Sequence, residues 1–323
     1  MTSTGAAPYP RLVGDIGGTG CRFGWVAGPG DDVEDVVAEE AALAPEAALA
    51  RYLERHAAAP PRAAALGVAA PVVGDSVRMT NRGWSFSIRA LQERLAVDRL
   101  LVVNDFAALA HGLPLLAPGD VETIGGGRAA QGAALALLGP GTGLGVSGLV
   151  PAPGGRAVVA GEGGHVSLAP ANAREDGVVQ ALRSRFGHVS AERVLSGDGL
   201  VHLHDALRVL DGLPARERTP AQITGPEGEG DASCAEAVAL FFAFLGAVAG
   251  DLALTLGARG GVFIGGGIVA RLRGRIGGSQ FRERFEAKGR YRGYLQAIPT
   301  ALIVDSSGLA LRGADAALGS PAG

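Results

Sequence analysis

Apolar and polar positions along the first 110 residues follow two periods, one typical of strands and one typical of helices. Mainly apolar runs at 63–73 and 99–105 predict buried strands. Apolar residues at helical spacing predict helices over 42–58 and 88–97. The segment 79–87, MTNRGWSFS, fits neither period and is expected to be a loop. Together these elements predict an α/β unit.

The same design returns in the second part of the chain, which begins near Gly112. An apolar strand, a glycine-rich turn and a second apolar strand are predicted over 133–150, as they are over 11–28. The other predicted elements are a loop over 161–170 that enters an irregular region, a long apolar helix over 235–256, a strand, turn and helix over 260–272, and a strand and closing helix over 299–318. The two strand–turn–strand segments predict duplicated halves that face each other.

These patterns predict an α/β protein with mixed sheets flanked by helices. We expect a small domain formed by 1–111 plus 302–323 and a large domain formed by 112–301. A length of 323 residues is within the range of two ordinary domains.

Composition narrows the possible functions. The chain is 47% hydrophobic with a net charge of −3, which argues against a nucleic-acid-binding surface. Small residues and Asp251 interrupt the apolar helix at 235–256, so we expect no membrane span, and the N-terminal segment lacks the pattern of a signal peptide. Cys21 and Cys234 fit no metal spacing and are typical of a reducing compartment. We therefore expect a cytoplasmic protein without nucleic-acid or membrane partners.

Three glycine clusters carry the strongest chemical signal. DIGGTG (15–20), GPGTGLG (139–145) and IGGGI (264–268) each follow an apolar strand. Such clusters are common structural turns, but successive backbone amides also form anion-binding nests. The first two lead into strands and lack the G-x-G-x-x-G spacing, which argues against a dinucleotide site. Lys288, the only lysine, is not in a Walker A sequence, so bound phosphates would have to be held by backbone amides.

At these turns the sequence resembles the actin, Hsp70 and sugar-kinase superfamily, in which two domains close around ATP and Mg²⁺. The resemblance implies an actin-like ATPase (ribonuclease H-like) fold with an interdomain cleft. It also implies phosphate contacts from the first two turns and adenosine contacts from the third. Asp15 is placed to orient Mg²⁺, usually through water. The nucleotide-binding residues that the resemblance implies are Gly14, Asp15, Ile16, Gly17, Gly18, Thr19, Gly141, Thr142, Gly143, Gly265, Gly266 and Gly267.

A narrower resemblance, to the bacterial ATP-dependent glucokinase family, covers nearly the whole chain. NDFAALAHGLP, GPGTGLGV, GEGGH, ERVLSGDGL and FRERFEAKGR carry it, in the order that the family has. GEGGH and FRERFEAKGR are its most specific parts. The family implies phosphoryl transfer from ATP with Mg²⁺ to the 6-hydroxyl of D-glucose, and a homodimer.

Two adjacent polar residues, Asn104 and Asp105, end a strand that is otherwise apolar. Buried polar groups without partners cost on the order of several kcal/mol, so this pair needs a reason. A carboxylate at the strand end can accept a proton from a sugar hydroxyl, and Asp is equally a good N-cap for the following FAALAHGL. The resemblance implies that Asp105 is the general base and that Asn104 orients the sugar, and the capping role stays open beside it.

The other sugar ligands implied by the resemblance are Glu162, His165 and Glu192. In GEGGH a carboxylate and an imidazole three residues apart can bracket vicinal hydroxyls. Glu192 also lies near a predicted helix start, where an acidic residue is favourable. Asn81 and Trp84 are further candidates for the pocket wall, and Trp84 is equally suited to the core.

Two departures from the family pattern bear on these roles. Gly20 follows Thr19 where the family has asparagine, which removes an amide from the first turn. Asp198 replaces a proline or small residue, and the sequence gives no functional reason for it. His202 and His204 would lie on different faces of a helix without a carboxylate–histidine set around them, so we expect packing or surface roles.

Other functions share part of this pattern. Kinases of the repressor/ORF/kinase family act on glucose, N-acetylmannosamine or related sugars, but they carry a cysteine-rich zinc motif that GHVSLAPANARED lacks. A repressor would need a DNA-binding module, for which the segment before Gly14 leaves no room. A non-catalytic actin-like filament or switch would have no need for Asp105, Glu162 and Glu192 to converge on one cavity. Glucose and ATP are therefore the expected partners, and another hexose or an N-acetylhexosamine is the alternative substrate.

Overall fold

The computed structural model describes residues 7–17, 20–39, 43–56, 59–79 and 84–319. Numbered along the chain, the strands are β1 (Arg11–Ile16), β2 (Cys21–Val26), β3 (Glu34–Glu39), β4 (Ala63–Val68), β5 (Val72–Val73), β6 (Ser76–Met79), β7 (Trp84–Ser87), β8 (Arg99–Asn104), β9 (Val121–Gly125), β10 (Leu135–Pro140), β11 (Leu144–Ala152), β12 (Gly155–Ala160), β13 (Gly261–Ile264) and β14 (Thr300–Ile303).

The helices are α1 (Pro45–His56), α2 (Ile88–Leu95), α3 (Asp105–Gly112), α4 (Ala173–Phe186), α5 (Gly197–Leu210), α6 (Pro220–Thr224), α7 (Ala232–Leu256), α8 (Gly267–Arg271), α9 (Arg273–Ile276), α10 (Phe281–Glu286), α11 (Arg292–Gln296) and α12 (Ser306–Gly319). Short 3₁₀ turns occur at Leu113–Leu115, Pro118–Asp120, Gly163–His165, Ala191–Arg193, Pro226–Gly228 and Gly289–Tyr291.

One compact unit comprises the described residues of Met1–Pro118 and Asp305–Gly323. Its main sheet has the strand order β3-β2-β1-β4-β8, in which β1, β4 and β8 run parallel. Alternate residues of β1 face opposite layers. Leu12 packs in a cluster with Tyr52 of α1, whereas Val13 packs in a cluster with Leu311 of α12. The sheet is therefore covered on both faces, which explains why its parallel strands are mainly apolar.

The second unit is Gly119–Val304. Its sheet has the order β12-β11-β10-β13-β14-β9, with β10, β13 and β14 parallel. In both units an antiparallel hairpin, β1–β2 or β10–β11, is followed in the sheet by two parallel strands. This shared order supports the internal duplication inferred from the two glycine-turn hairpins. The division between the units falls after Pro118 and after Val304, a few residues beyond the predicted positions.

The 25-residue α7 forms the centre of the core in the second unit. By length and composition this helix could cross a membrane, contrary to our expectation from its small residues and Asp251, but 72% of its most apolar window is buried inside the protein. Phe241, Phe244 and Leu245 are fully buried. Gly246 lets α10 approach closely, because a Cβ there would overlap the carbonyl oxygen of Phe281. The burial of most of α7 in this core accounts for its largely apolar sequence.

Two local predictions are wrong. The segment 79–87 is not a loop in its described residues, because Met79 ends β6 and Trp84–Ser87 form β7, which pairs with it in a small sheet with β5. Val77 and Phe86 face each other across this pair, and the strands are too short for their alternation of apolar and polar residues to be recognised.

The region after the 161–170 loop is helical rather than irregular, since Asn172 and Ser196 each cap a 14-residue helix, α4 and α5.

Candidate functional site

The parallel strands of the first unit bring the first glycine turn and the Asn-Asp pair to the same sheet edge. Ile16 at the end of β1 is in register with Val68 of β4, and Val68 is in register with Asn104 at the end of β8. Because parallel strands end on the same side of a sheet, Asp105 and Gly17 both follow strands at this edge. This is the edge where open α/β sheets bind their ligands.

The structure assigns the helix-capping role of the Asn104–Asp105 pair to Asn104, whereas the sequence suggested Asp105. Asn104, not Asp105, is the N-cap of α3. Its Oδ1 accepts hydrogen bonds from the backbone N–H groups of Phe106 (2.9 Å) and Ala107 (3.2 Å). Asp105 is the first helical residue, and its Oδ1 accepts from the Phe106 N–H at 2.9 Å. The cap falls on Asn104 because its backbone is still extended, with φ −61° and ψ 148°.

Gly67 of β4 allows α3 to start close to the sheet. A Cβ at this position would lie 3.1 Å from Ala108 Cβ, 3.5 Å from Asp105 Cα and 3.8 Å from the Gly14 carbonyl oxygen. Asp105 is therefore seated against the strand pair β1 and β4 through its backbone, so its position is set by the sheet.

Asp15 is the carboxylate of the first glycine turn. It faces Arg22 across the β1–β2 hairpin, with 3.5 Å between Arg22 Nη1 and Asp15 Oδ2. Burial raises the pKa of Asp15, and the charge of Arg22 opposes this rise. An anionic oxygen that is short of solvent at a strand end is suited to a Mg²⁺ ion or its bound water, so this donor fits the expected metal.

The second glycine turn is closed by backbone bonds and joined to α5. The Gly141 N–H donates to the Gly143 carbonyl at 2.8 Å, and the Gly197 N–H donates to the Gly141 carbonyl at 3.0 Å. Ser196 caps α5, and Asp198 lies in its first turn. An acidic side chain is favourable at this helix end, which gives Asp198 a structural role.

Glu192 connects this turn to the glycine–histidine loop. Its Oε2 accepts a hydrogen bond from the Leu144 backbone N–H at 3.0 Å, and its Oε1 lies 4.0 Å from His165 Nδ1. Gly143 leaves the space for the carboxylate, because a Cβ there would overlap Oε2. Two of the three sugar-binding candidates in this unit, Glu192 and His165, therefore lie together beside the second turn.

The GEGGH loop can lie against β11 only because of its glycines. A Cβ on Gly164 would overlap the Leu144 carbonyl oxygen, and a Cβ on Gly163 would lie 2.7 Å from a methyl group of Val146. The His165 N–H donates to the Glu162 carbonyl at 3.0 Å, which closes the 3₁₀ turn. Glu162 and His165 consequently expose their side chains on neighbouring positions of one tight turn.

The third glycine turn packs directly on the strand that leads into the second. The Gly265 N–H donates to the Leu138 carbonyl at 2.9 Å. Gly266 has φ +90°, and a Cβ there would overlap the carbonyl oxygen of Pro140. Gly267 begins α8 and has no heavy atom within 4 Å of its Cβ position. The second and third turns of this unit are thus joined through their backbones.

Three predicted residues, Gly18, Thr19 and Asn81, lie outside the described residues.

A family model for glucokinases matches residues 12–320 of the chain. The glucokinase of Chromobacterium violaceum is 51% identical over 301 residues, which are 92% of this chain and 86% of that protein. The chain belongs to the glucokinase family.

Solved structures agree with this membership. The crystal structure of a glucokinase from an Antarctic psychrotroph matches with a TM-score of 0.86 and 36% identity, covering 96% of this chain and 98% of that one. The predicted two-domain, actin-like α/β fold is thereby confirmed. A ROK-family glucokinase from Streptomyces griseus, solved with glucose and AMPPNP, matches with a TM-score of 0.61 and 20% identity, covering 95% and 98%. At this identity the similarity shows the fold alone.

Several residues that shape the candidate site were not predicted from the sequence. Gly67, Gly164 and Gly197 act through their backbones, and Arg22 faces Asp15 across a hairpin. The doublet GG in GEGGH was a usable signal for Gly164, since adjacent glycines often mark close backbone approach. Nothing in the sequence singled out Gly67, because a glycine in a strand of small residues has no distinctive neighbours.

Proposed function

We propose that this chain catalyses the ATP-dependent phosphorylation of D-glucose at the 6-hydroxyl, with Asp105 as general base. Family membership supports the reaction. The observation that carries the assignment of the base is the seating of Asp105 at the start of α3, on the sheet edge where the first glycine turn also begins. In the reaction the sugar oxygen bonds to the γ-phosphorus, the bond to the β-phosphate oxygen breaks, and the hydroxyl proton passes to the Asp105 carboxylate.

A hexose panel tests this function. In a coupled assay with ATP, GTP or polyphosphate as donor, we expect the highest kcat/KM for glucose with ATP. Mannose, fructose and N-acetylhexosamines serve as competitors. Activity confined to another sugar, or ATP hydrolysis without sugar phosphorylation, would contradict the proposal.

The nucleotide is proposed to bind through backbone amides of the glycine turns. The proposed phosphate contacts are Gly14 and Ile16 near the end of β1, Gly17 in the first turn, and Gly141, Thr142 and Gly143 in the second. Gly265, Gly266 and Gly267 are proposed to contact adenosine. Bound Mg²⁺ neutralises negative charge on the transferring phosphates, and Asp15 is proposed to orient it through water.

We propose that glucose is held by Asn104, Glu162, His165 and Glu192, with Asn81 as a further candidate. Because Asn104 Oδ1 is used by the α3 cap, the amide of Asn104 has only its Nδ2 donors to offer a sugar oxygen. Helix capping thereby fixes the orientation of this donor before the sugar binds.

Substitutions at Asn104 separate capping from sugar binding. Ser is as good an N-cap as Asn but has no amide donor, so Asn104→Ser should keep the melting temperature and raise the glucose KM about tenfold. Asn104→Ala should raise the KM similarly and also cost about 1 kcal/mol of unfolding free energy. Steady-state kinetics and thermal melts measure the two effects. If Asn104→Ser kept the wild-type glucose KM, the Asn104 amide would not be a sugar ligand.

Substitutions at Glu192 test whether its hydrogen bond to Leu144 supports the second turn. Glu192→Ala removes the acceptor of the Leu144 N–H, so we expect the KM values for glucose and ATP both to rise, by about 10–100-fold for glucose. Glu192→Gln can still accept this hydrogen bond, so it should raise only the glucose KM. Glu217→Ala, at an exposed glutamate, is the control. Equal effects of Ala and Gln on the ATP KM would show that the hydrogen bond does not support the turn.

On the family resemblance alone, we also propose a homodimer that acts in the cytoplasm without nucleic-acid or membrane partners. Since the chain has a mass of 32.5 kDa, light scattering should give about twice this mass.

A further inference from the structure

Away from the glycine turns, three side chains with metal-binding atoms meet between two helices of the second unit. His204 lies on α5, Asp231 is the N-cap of α7, and Cys234 lies in the first turn of α7. One ligand atom from each residue lies within 4.8 Å of the other two. His204 and Cys234 are 0% and 1% exposed. The expectation that His204 has no carboxylate nearby is therefore wrong, because Asp231 comes from a helix that follows much later in the chain.

The ring of His204 is oriented as in histidine metal ligands. Its Nδ1 lies 3.3 Å from Asp205 Oδ1, so this nitrogen carries the proton and donates it to the carboxylate. The other nitrogen, Nε2, is left with a lone pair. It is buried and has no hydrogen-bond partner among the described residues. A histidine that binds zinc usually donates one ring N–H to a carboxylate and keeps its other nitrogen for the metal, and His204 has this pattern of partners.

By contrast, His202 on the same helix has a complete packing role. Its Nδ1 lies 2.9 Å from the Arg193 carbonyl oxygen, and its ring packs against Phe186 at a centroid distance of 4.7 Å. The expected packing role holds for His202 and leaves the unpartnered nitrogen of His204 without an explanation.

The charges around Asp231 are compatible with a bound cation. Asp231 Oδ1 accepts from the Ser233 N–H at 3.0 Å, and Oδ2 lies 3.2 Å from Arg216 and 3.8 Å from Arg218. Each carboxylate oxygen has two lone pairs, so these contacts leave acceptor sites for a metal. Arg216 is half exposed, and Arg218 is also 3.8 Å from Glu227 Oε2, so both positive charges are partly offset.

We propose that His204, Asp231 and Cys234 bind a divalent cation of the zinc class, with water as the fourth ligand. A thiolate and an imidazole favour Zn²⁺ over Mg²⁺, so this site would not compete for the metal that accompanies ATP. Zinc–ligand bonds of about 2.0–2.3 Å in tetrahedral geometry place ligand atoms about 3.3–3.8 Å apart, so side-chain shifts of roughly an ångström close the cluster. On binding, the thiol proton of Cys234 passes to solvent and a Zn–S bond forms.

Such an ion would join α5 to the start of α7. The Gly197 N–H at the start of α5 donates a hydrogen bond to the Gly141 carbonyl. By holding α5 in place, the metal would therefore also stabilise the second glycine turn. We therefore assign the site a structural role, outside the chemistry of phosphoryl transfer.

The test is metal binding by the whole, tag-free protein after removal of metals with a chelator. Titration with Co²⁺ in the presence of excess Mg²⁺ should saturate at one equivalent and produce a thiolate-to-cobalt charge-transfer band, which Zn²⁺ then removes. Zn²⁺ should also raise the melting temperature by several degrees. The absence of a thiolate band from the wild-type protein would overturn the proposal without recourse to any variant.

Variants identify the ligands. Cys234→Ser and His204→Gln should lose the charge-transfer band or weaken Zn²⁺ binding at least about 100-fold, and neither should be stabilised by Zn²⁺. Cys21→Ser and His202→Gln are the matched controls, because Cys21 is 1% exposed and His202 9% exposed. Both controls should bind as the wild type does. Persistence of the band in Cys234→Ser, or its loss in Cys21→Ser, would refute the assignment.

Discussion

Asp105→Asn is expected to lower kcat by about 10²–10⁴-fold while the glucose KM stays within a few-fold of the wild-type value. General-base help is typically worth this factor in rate, and the amide cannot take the proton of the attacking hydroxyl. The fold should be preserved. Asn104 still caps α3, and the new amide oxygen can still accept from the Phe106 N–H, which now bonds Asp105 at 2.9 Å. The loss should therefore be one of chemistry and not of structure.

The experiment needs kinetics and a stability control. A coupled assay gives kcat and KM, and a thermal melt should show a melting temperature close to that of the wild type. Asp98→Asn is the charge-matched control, because Asp98 pairs with Arg62 at the surface and its side chain is 58% exposed. It should leave kcat unchanged. Near wild-type kcat in Asp105→Asn would show that another group accepts the proton.

Gly266→Ala is expected to cost about 2–6 kcal/mol of unfolding free energy and to raise the ATP KM. The new Cβ would overlap the Pro140 carbonyl oxygen, and overpacking typically costs about 1–3 kcal/mol. The backbone of Gly266, at φ +90° and ψ 147°, adds about 1–3 kcal/mol of strain for any other residue. Relief of the overlap requires the third turn to move away from β10, which disturbs the second turn as well.

The adjacent glycine provides the matched control. Gly267 begins α8, and no heavy atom lies within 4 Å of its Cβ position. Ala is a better helix former than Gly by about 1 kcal/mol, so Gly267→Ala should be neutral or slightly stabilising. Denaturant melts and ATP titrations of both variants decide the matter. Equal melting temperatures would mean that the turn accommodates a side chain at either position.

The glycine turns and strand ends of the candidate site could be predicted because each is formed by consecutive residues. The glycine turns, the apolar strands before them and the Asn-Asp pair at the end of β8 are all local patterns, and each was placed correctly within a few residues. The 79–87 segment shows where local pattern fails. A four-residue strand such as β7 offers only two inward positions, so its alternation is indistinguishable from that of a loop.

The choice between Asn104 and Asp105 as the cap shows a second limit. Both residues cap helices well, and the sequence does not reveal which one keeps extended backbone as the chain leaves β8. The pairing of β8 with β4 extends to Asn104 and holds that residue in the strand conformation. The cap is therefore decided by strand pairing, which is a tertiary property.

The sequence by itself determined the α/β class, the hairpins with glycine turns, the strand ends that carry polar residues, and the resemblance that led to the glucokinase family. Only the tertiary structure decided that Glu192 bonds to Leu144, 48 positions earlier, and that His204 meets Asp231 and Cys234. The physical reason is the range of the interactions. Backbone preference and hydrophobic period act between neighbours in the chain, whereas a carboxylate, an imidazole or a thiol acquires its partner from whichever element the packing of the core places beside it.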